Sequence, residues 1–131
     1  MIQRVQTIFL LTNLFFLMTL YLFFELKSFA LDIFNFEILI NINLYLIFCS
    51  LITLISIFLF KNRTTQLFLN KIQIFFHFIS LLLFLLELIA SQHLNSIYKL
   101  LIPIFPLILL FLANNFIKKD EDLIKSIDRI R

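Results

Sequence analysis

The sequence predicts an all-α integral membrane fold: a four-helix up-and-down bundle with a short cytoplasmic C-terminal amphipathic helix. Three observations carry that expectation. The 131-residue chain is 62% hydrophobic and 15% charged, whereas a soluble domain is about half apolar and about a quarter charged; its mean hydropathy is +1.04. A core this small cannot hide that apolar excess. Second, four charge-poor stretches have the roughly 17 to 25 residues that a helix needs to cross about 30 Å of hydrocarbon. Third, the basic residues gather between these stretches and at the end of the chain. Eight of the eleven Lys and Arg fall within residues 61–71 and 118–131.

The whole chain, residues 1–131, reads as a single four-span membrane domain. Residues 5–24 form the first span. A cleaved signal peptide would have a core of only about 7 to 15 apolar residues, so this segment is expected to be retained. The second span is placed at residues 38–60. The third, at residues 72–90, contains Glu87 near its far end; fourteen Leu, Ile and Phe outweigh one off-centre carboxylate. The fourth is placed at residues 100–117, with Pro103 and Pro106 expected to bend its outer third. Backbone polar groups in hydrocarbon must pair within their own segment, so each span is expected to be helical despite a Phe and Ile content that favours strands in water.

Orientation follows from the charge count. Arg4, the loop with Lys61, Arg63 and Lys71, and the tail sum to nine basic residues, against Lys27 and Lys99 on the other side. Positive charge stays inside. The expected location is the bacterial cytoplasmic membrane, with both termini cytoplasmic.

Ionisable and polar groups at bilayer depth are the first candidates for function. The third span offers Gln73, His77, Ser80 and Glu87 on one helical face; Gln6 and Asn13 lie seven apart in the first span, and Asn41, Tyr45, Cys49, Thr53 and Ser56 form a stripe in the second. His77 and Glu87 are ten residues apart, about 15 Å along a helix axis, so they cannot touch. With no glycine there is no GxxxG, and the polar stripe is the expected close-packing surface. No paired ligand spacing joins His77, His93, Glu87 and Cys49, no acidic residue orients His77 toward Ser80, and no glycine-rich phosphate loop exists. Neither a cofactor nor a catalytic group is expected, and without a contiguous basic face neither is nucleic acid.

The charged ending has its own pattern. Nine of the fourteen residues from Lys118 to Arg131 are charged, while Leu123, Ile124, Ile127 and Ile130 fall on one helical face. Glu121 precedes Lys125 by four residues, the favourable order for a helical pair, and Lys118 with Asp122 gives the weaker order. This segment is expected either to continue the fourth helix or to lie on the inner leaflet.

The opening MIQRVQT, the string FKNRTTQ at residues 60–66 and the ending LANNFIKKDEDLIKSIDRIR together resemble a bacterial family called domain of unknown function forty-two ninety-three, whose members are small proteins with four predicted membrane helices. Asn115-Phe116 departs from its pattern, in which a basic and then a small residue is usual. The resemblance implies no activity. The expectation is a non-catalytic accessory or interaction component whose cytoplasmic surface is built from Arg4, Arg63, Lys118, Lys119, Asp120, Glu121, Asp128 and Arg129, with membrane lipids and a membrane or cytoplasmic protein, or a second copy, as partners. The alternative is a small transporter or proton pathway along the face of Gln73, His77, Ser80 and Glu87.

Overall fold

A computed structural model of the protein describes residues 2–23, 29–33, 36–40, 42–91 and 98–128, with side chains over 5–22, 42–89 and 98–126. Four helices make up almost all of it: α1 (Ile2–Phe23), α2 (Ile42–Phe58), α3 (Arg63–Ser91) and α4 (Leu101–Asp128). Between α1 and α2 lies an antiparallel hairpin, β1 (Phe29–Ile33) with β2 (Phe36–Ile40), in the register Phe29 to Ile40.

This hairpin corrects the expected second span. Ile38, Leu39 and Ile40 belong to β2, and the chain turns after Phe58, so the helix has 17 residues rather than 23. Phe and Ile favour strands, and the antiparallel pairing of β1 with β2 gives their backbone groups partners. The third helix, by contrast, begins well before the expected Ile72. The backbone carbonyl of Asn62 accepts from the Gln66 backbone N–H at 3.0 Å and from Thr65 Oγ1 at 2.7 Å, the first bonds of a helix that starts at Arg63. The link expected over residues 61–71 is thus mostly helix. The tail continues α4 to Asp128 without a break, with Pro106 inside the helix.

Three helices, α1, α3 and α4, are long and apolar enough to cross a membrane, and α2 is a shorter apolar helix. At 1.5 Å per residue, α2 is about 25 Å long and α3 and α4 each exceed about 40 Å.

Buried positions step by four and three along every helix: Gln6, Leu10, Asn13 and Leu17; Ile42, Leu46, Cys49, Thr53 and Ser56; Gln66, Asn70, Gln73, His77, Ser80 and Phe84; Pro106, Leu110, Ala113 and Ile117. This repeat is that of helices crossing at shallow angles with interlocking side chains. Rising residue numbers on one helix meet falling numbers on its neighbour. Phe9 stacks on Phe116 and Phe16 meets Phe105; Thr53 meets Gln73 and Tyr45 meets Ser80; Asn70 meets Asn114 and Arg63 meets Asp120. Helices α1 and α3 therefore run the same way, and both begin at the end where α4 finishes. We call this the basal end, and the other the hairpin end.

The distribution of polarity is the reverse of a soluble domain. Among the described residues as many polar as apolar side chains are buried, while Phe15, Leu22, Phe58 and Ile89 are each at least 70% exposed. An apolar girdle of this extent needs an apolar surrounding.

Candidate functional site

Two places collect functional groups, and the sequence pattern explains both. The first is a polar seam inside the basal half of the bundle. Thr53 is its hub. Its hydroxyl donates to the Cys49 carbonyl at 2.8 Å, satisfying itself within α2. The same oxygen accepts from Gln73 Nε2 at 2.7 Å and from Asn13 Nδ2 at 3.4 Å, tying α3 and α1 to α2. Gln73 Nε2 also donates to the Cys49 carbonyl at 3.1 Å. One turn toward the basal end, Ser56 Oγ donates to Asn70 Oδ1 at 2.7 Å and Asn70 Nδ2 donates to Asn114 Oδ1 at 2.9 Å, joining α2, α3 and α4. Gln66 Nε2 donates to the Ser56 carbonyl at 3.1 Å.

Toward the hairpin end, the Tyr45 hydroxyl pairs with His77 Nδ1 and accepts from Ser80 Oγ at 3.1 Å. Ser80 also reaches the His77 carbonyl, not its imidazole, so the two form no nucleophile and base pair. An apolar groove of about 160 Å³ lined by Ile42, Phe76, Ile79, Leu83 and Phe84 opens over Tyr45 and Ser80. Beyond them the core turns apolar, with Leu17, Leu46, Phe84 and Ile102 packed together.

Of the expected face, the structure thus brings Gln73, His77 and Ser80 into one buried network, but not Glu87. Glu87 is half-buried on the far side of the apolar cluster and forms an ion pair with Lys99, joining α3 to the start of α4. Gln66 and Asn70 are members that the sequence reading missed. The signal was available, because the four-three spacing of Gln73, His77 and Ser80 extends backwards to both; placing the helix start at Ile72 hid it. Asn41 and His93 lie outside the described residues.

The second place is the basal end. Arg63 Nη2 pairs with Asp120 Oδ2 at 2.7 Å and Arg63 Nη1 donates to the Asp120 carbonyl at 3.3 Å, so the first turn of α3 grips the extension of α4. Both belong to the expected interaction surface; here they pair with each other, and each side chain is 14% exposed. Glu121 pairs with Lys125 at 2.8 Å, and that hydrogen bond holds the Glu121 carboxyl below the usual carboxylate range. Lys118 and Lys119 are exposed, with the Lys119 ammonium 5.6 Å from the Phe116 ring centre. Leu123 and Ile124 are exposed among these charges. A cleft of about 500 Å³ lies between the two helix ends, lined by Phe60, Lys61, Arg63, Thr64, Glu121 and Ile124. Asp128 ends α4, whereas the side chain of Arg4 and all of Arg129 lie outside the described residues.

A family model described as "Domain of unknown function (DUF4293)" matches residues 2–130. No curated protein and no solved structure matches the chain.

Proposed function

The chain belongs to the DUF4293 family, and we propose that it is a non-catalytic accessory or interaction component of the bacterial cytoplasmic membrane. In this reading the helices cross the bilayer up and down, the basal end faces the cytoplasm, and the extension of α4 docks a protein partner. The observation that carries it is the unbroken run of α4 to Asp128, which presents exposed Leu123 and Ile124 framed by Lys118, Lys119, Asp122 and Lys125. A narrow apolar stripe on a charged helix is the form a groove-binding ligand takes. The Arg63–Asp120 clamp supports it, since a segment serving only to stop translocation has no need of a fixed direction. Anionic head groups around the exposed lysines are the second expected partner.

The competing reading, a transporter or proton pathway through Gln73, His77 and Ser80, is favoured by the buried seam and opposed by the apolar cluster that separates it from Glu87. One experiment divides them. Removal of residues 120–131 should abolish recovery of protein partners by crosslinking in native membranes and leave insertion intact. Unchanged partners after that deletion, with loss of the cellular phenotype in His77→Ala, would overturn the docking reading in favour of the pathway.

A further inference from the structure

The seam is incompletely paired, and in a consistent direction. The Cys49 and Ser56 carbonyls can only accept, so Gln73 and Gln66 must turn their NH₂ groups toward them. With the Thr53 proton on the Cys49 carbonyl, Asn13 likewise presents its NH₂ to Thr53. No amide flip can reverse the two glutamine assignments. Their consequence is that Gln66 Oε1, Gln73 Oε1 and Asn13 Oδ1 are buried with no partner among the described residues, and both polar atoms of Gln6 share that state. With Nδ1 engaged by Tyr45, His77 Nε2 is also left over.

These groups are arranged in tiers. Asn13 and Gln73 meet on Thr53; Gln6 and Gln66 precede them by seven residues on helices that run the same way, about 10 Å nearer the basal end. Small side chains, Thr53 and Ser56, face the amides from α2, while Ala113 of α4 packs beside them with Leu10 and Leu110.

We propose that the seam is a water-binding site, in which ordered water donates to the amide oxygens of Gln66, Gln73 and Asn13 and reaches them only from the basal end. Four unpaired acceptors stand beside one unpaired amide donor, Gln6 Nε2, and one imidazole nitrogen, His77 Nε2, which donates or accepts according to its tautomer, and water supplies both kinds of bond, typically about three per molecule. A bare cation does not suit this lining. Among the described residues the seam holds no carboxylate, Lys61 and Lys118 are exposed at its basal end, and an uncompensated charge at that depth is expensive. The apolar cluster of Leu17, Leu46, Phe84 and Ile102 closes the other end.

The test is solid-state NMR of the full chain in liposomes, measuring magnetisation transfer from water to side chains. Transfer should be several-fold faster into the amides of Gln66, Asn13 and Gln73 than into Leu46 or Phe84, and should decline from Gln66 toward Gln73. Uniformly slow transfer would overturn the proposal, as would equal transfer at Leu46 and Phe84, which would mean a path open at both ends. Amide shifts that change when sodium or potassium replaces N-methylglucamine would assign the site to a cation instead, and would equally overturn it. Deleting the tail should leave all three readouts unchanged, so failure of the docking reading and failure of this one are distinguishable.

Discussion

At the scale of the residue, Thr53 shows how one hydroxyl can order three helices. It returns its proton to its own helix and keeps its lone pairs for α1 and α3. Interhelical hydrogen bonds in membranes average about 0.6 kcal/mol, but losing the hydroxyl also leaves the buried Asn13 NH₂ without its partner and the Gln73 NH₂ with the Cys49 carbonyl alone, which adds desolvation. We therefore expect Thr53→Val to lower stability by about 1 to 3 kcal/mol and Thr53→Ser to stay close to the parent, measured by reversible unfolding in mixed detergent micelles. A loss in Thr53→Ser with Thr53→Val close to the parent would mean that the methyl group, not the hydroxyl, matters. For the clamp, Arg63→Ala, Asp120→Ala and the double variant should give a coupling of about 1 kcal/mol, within the range for contacting charged pairs; strictly additive effects would remove the clamp from the account.

At the scale of the element, α3 starts earlier than expected and α4 takes the first of its two expected courses for one reason: a helix ends where its backbone and side-chain pairing end, not where its hydropathy falls. Asn62 starts α3 early, and the Glu121–Lys125 and Arg63–Asp120 pairs carry α4 on past Ile117. Proline at position 122 removes a backbone donor and collides with the preceding turn, a penalty of about 3 kcal/mol. Asp122→Pro should therefore reduce the helix content measured by circular dichroism by about two turns and, if the tail docks a partner, abolish its capture, while the four apolar helices persist. Intact helicity beyond position 122 would contradict the continuous α4. The shortness of α2 has its counterpart in the hairpin, which takes up residues that hydropathy alone assigned to the span.

At the scale of the whole molecule, polarity is turned inward and the apolar surface outward. This yields a prediction on which soluble and membrane readings disagree in sign. Phe15 lies near the middle of α1 and is 72% exposed. In water, Phe15→Lys would be neutral or would improve solubility; in a bilayer, a lysine at the centre of a helix costs about 2.5 to 3.5 kcal/mol of insertion free energy. We expect the variant to lose most of its carbonate-resistant membrane fraction, and unchanged extraction would refute the bilayer placement of α1. The same inversion accounts for the heptad-like core, because apolar side chains gain little by leaving lipid for a lipid-like interior, and hydrogen bonds and close packing are left to set the register.

The sequence by itself determined the quantities that depend only on local composition: the apolar helical segments, the clustering of positive charge between and after them, and the placement of Gln73, His77 and Ser80 on one face. Membership of the family was also legible in its two ends and middle loop. Tertiary structure alone decided the pairings. Thr53 meets Gln73 across 20 residues and Asn13 across 40, and Asn70 meets Asn114 across 44; such partners are chosen by the register and rotation of packed helices, which hydropathy does not encode. Spacing already held Glu87 about 15 Å from His77, but only packing gave it Lys99 as a partner, and only packing joined Arg63 to Asp120 in one clamp.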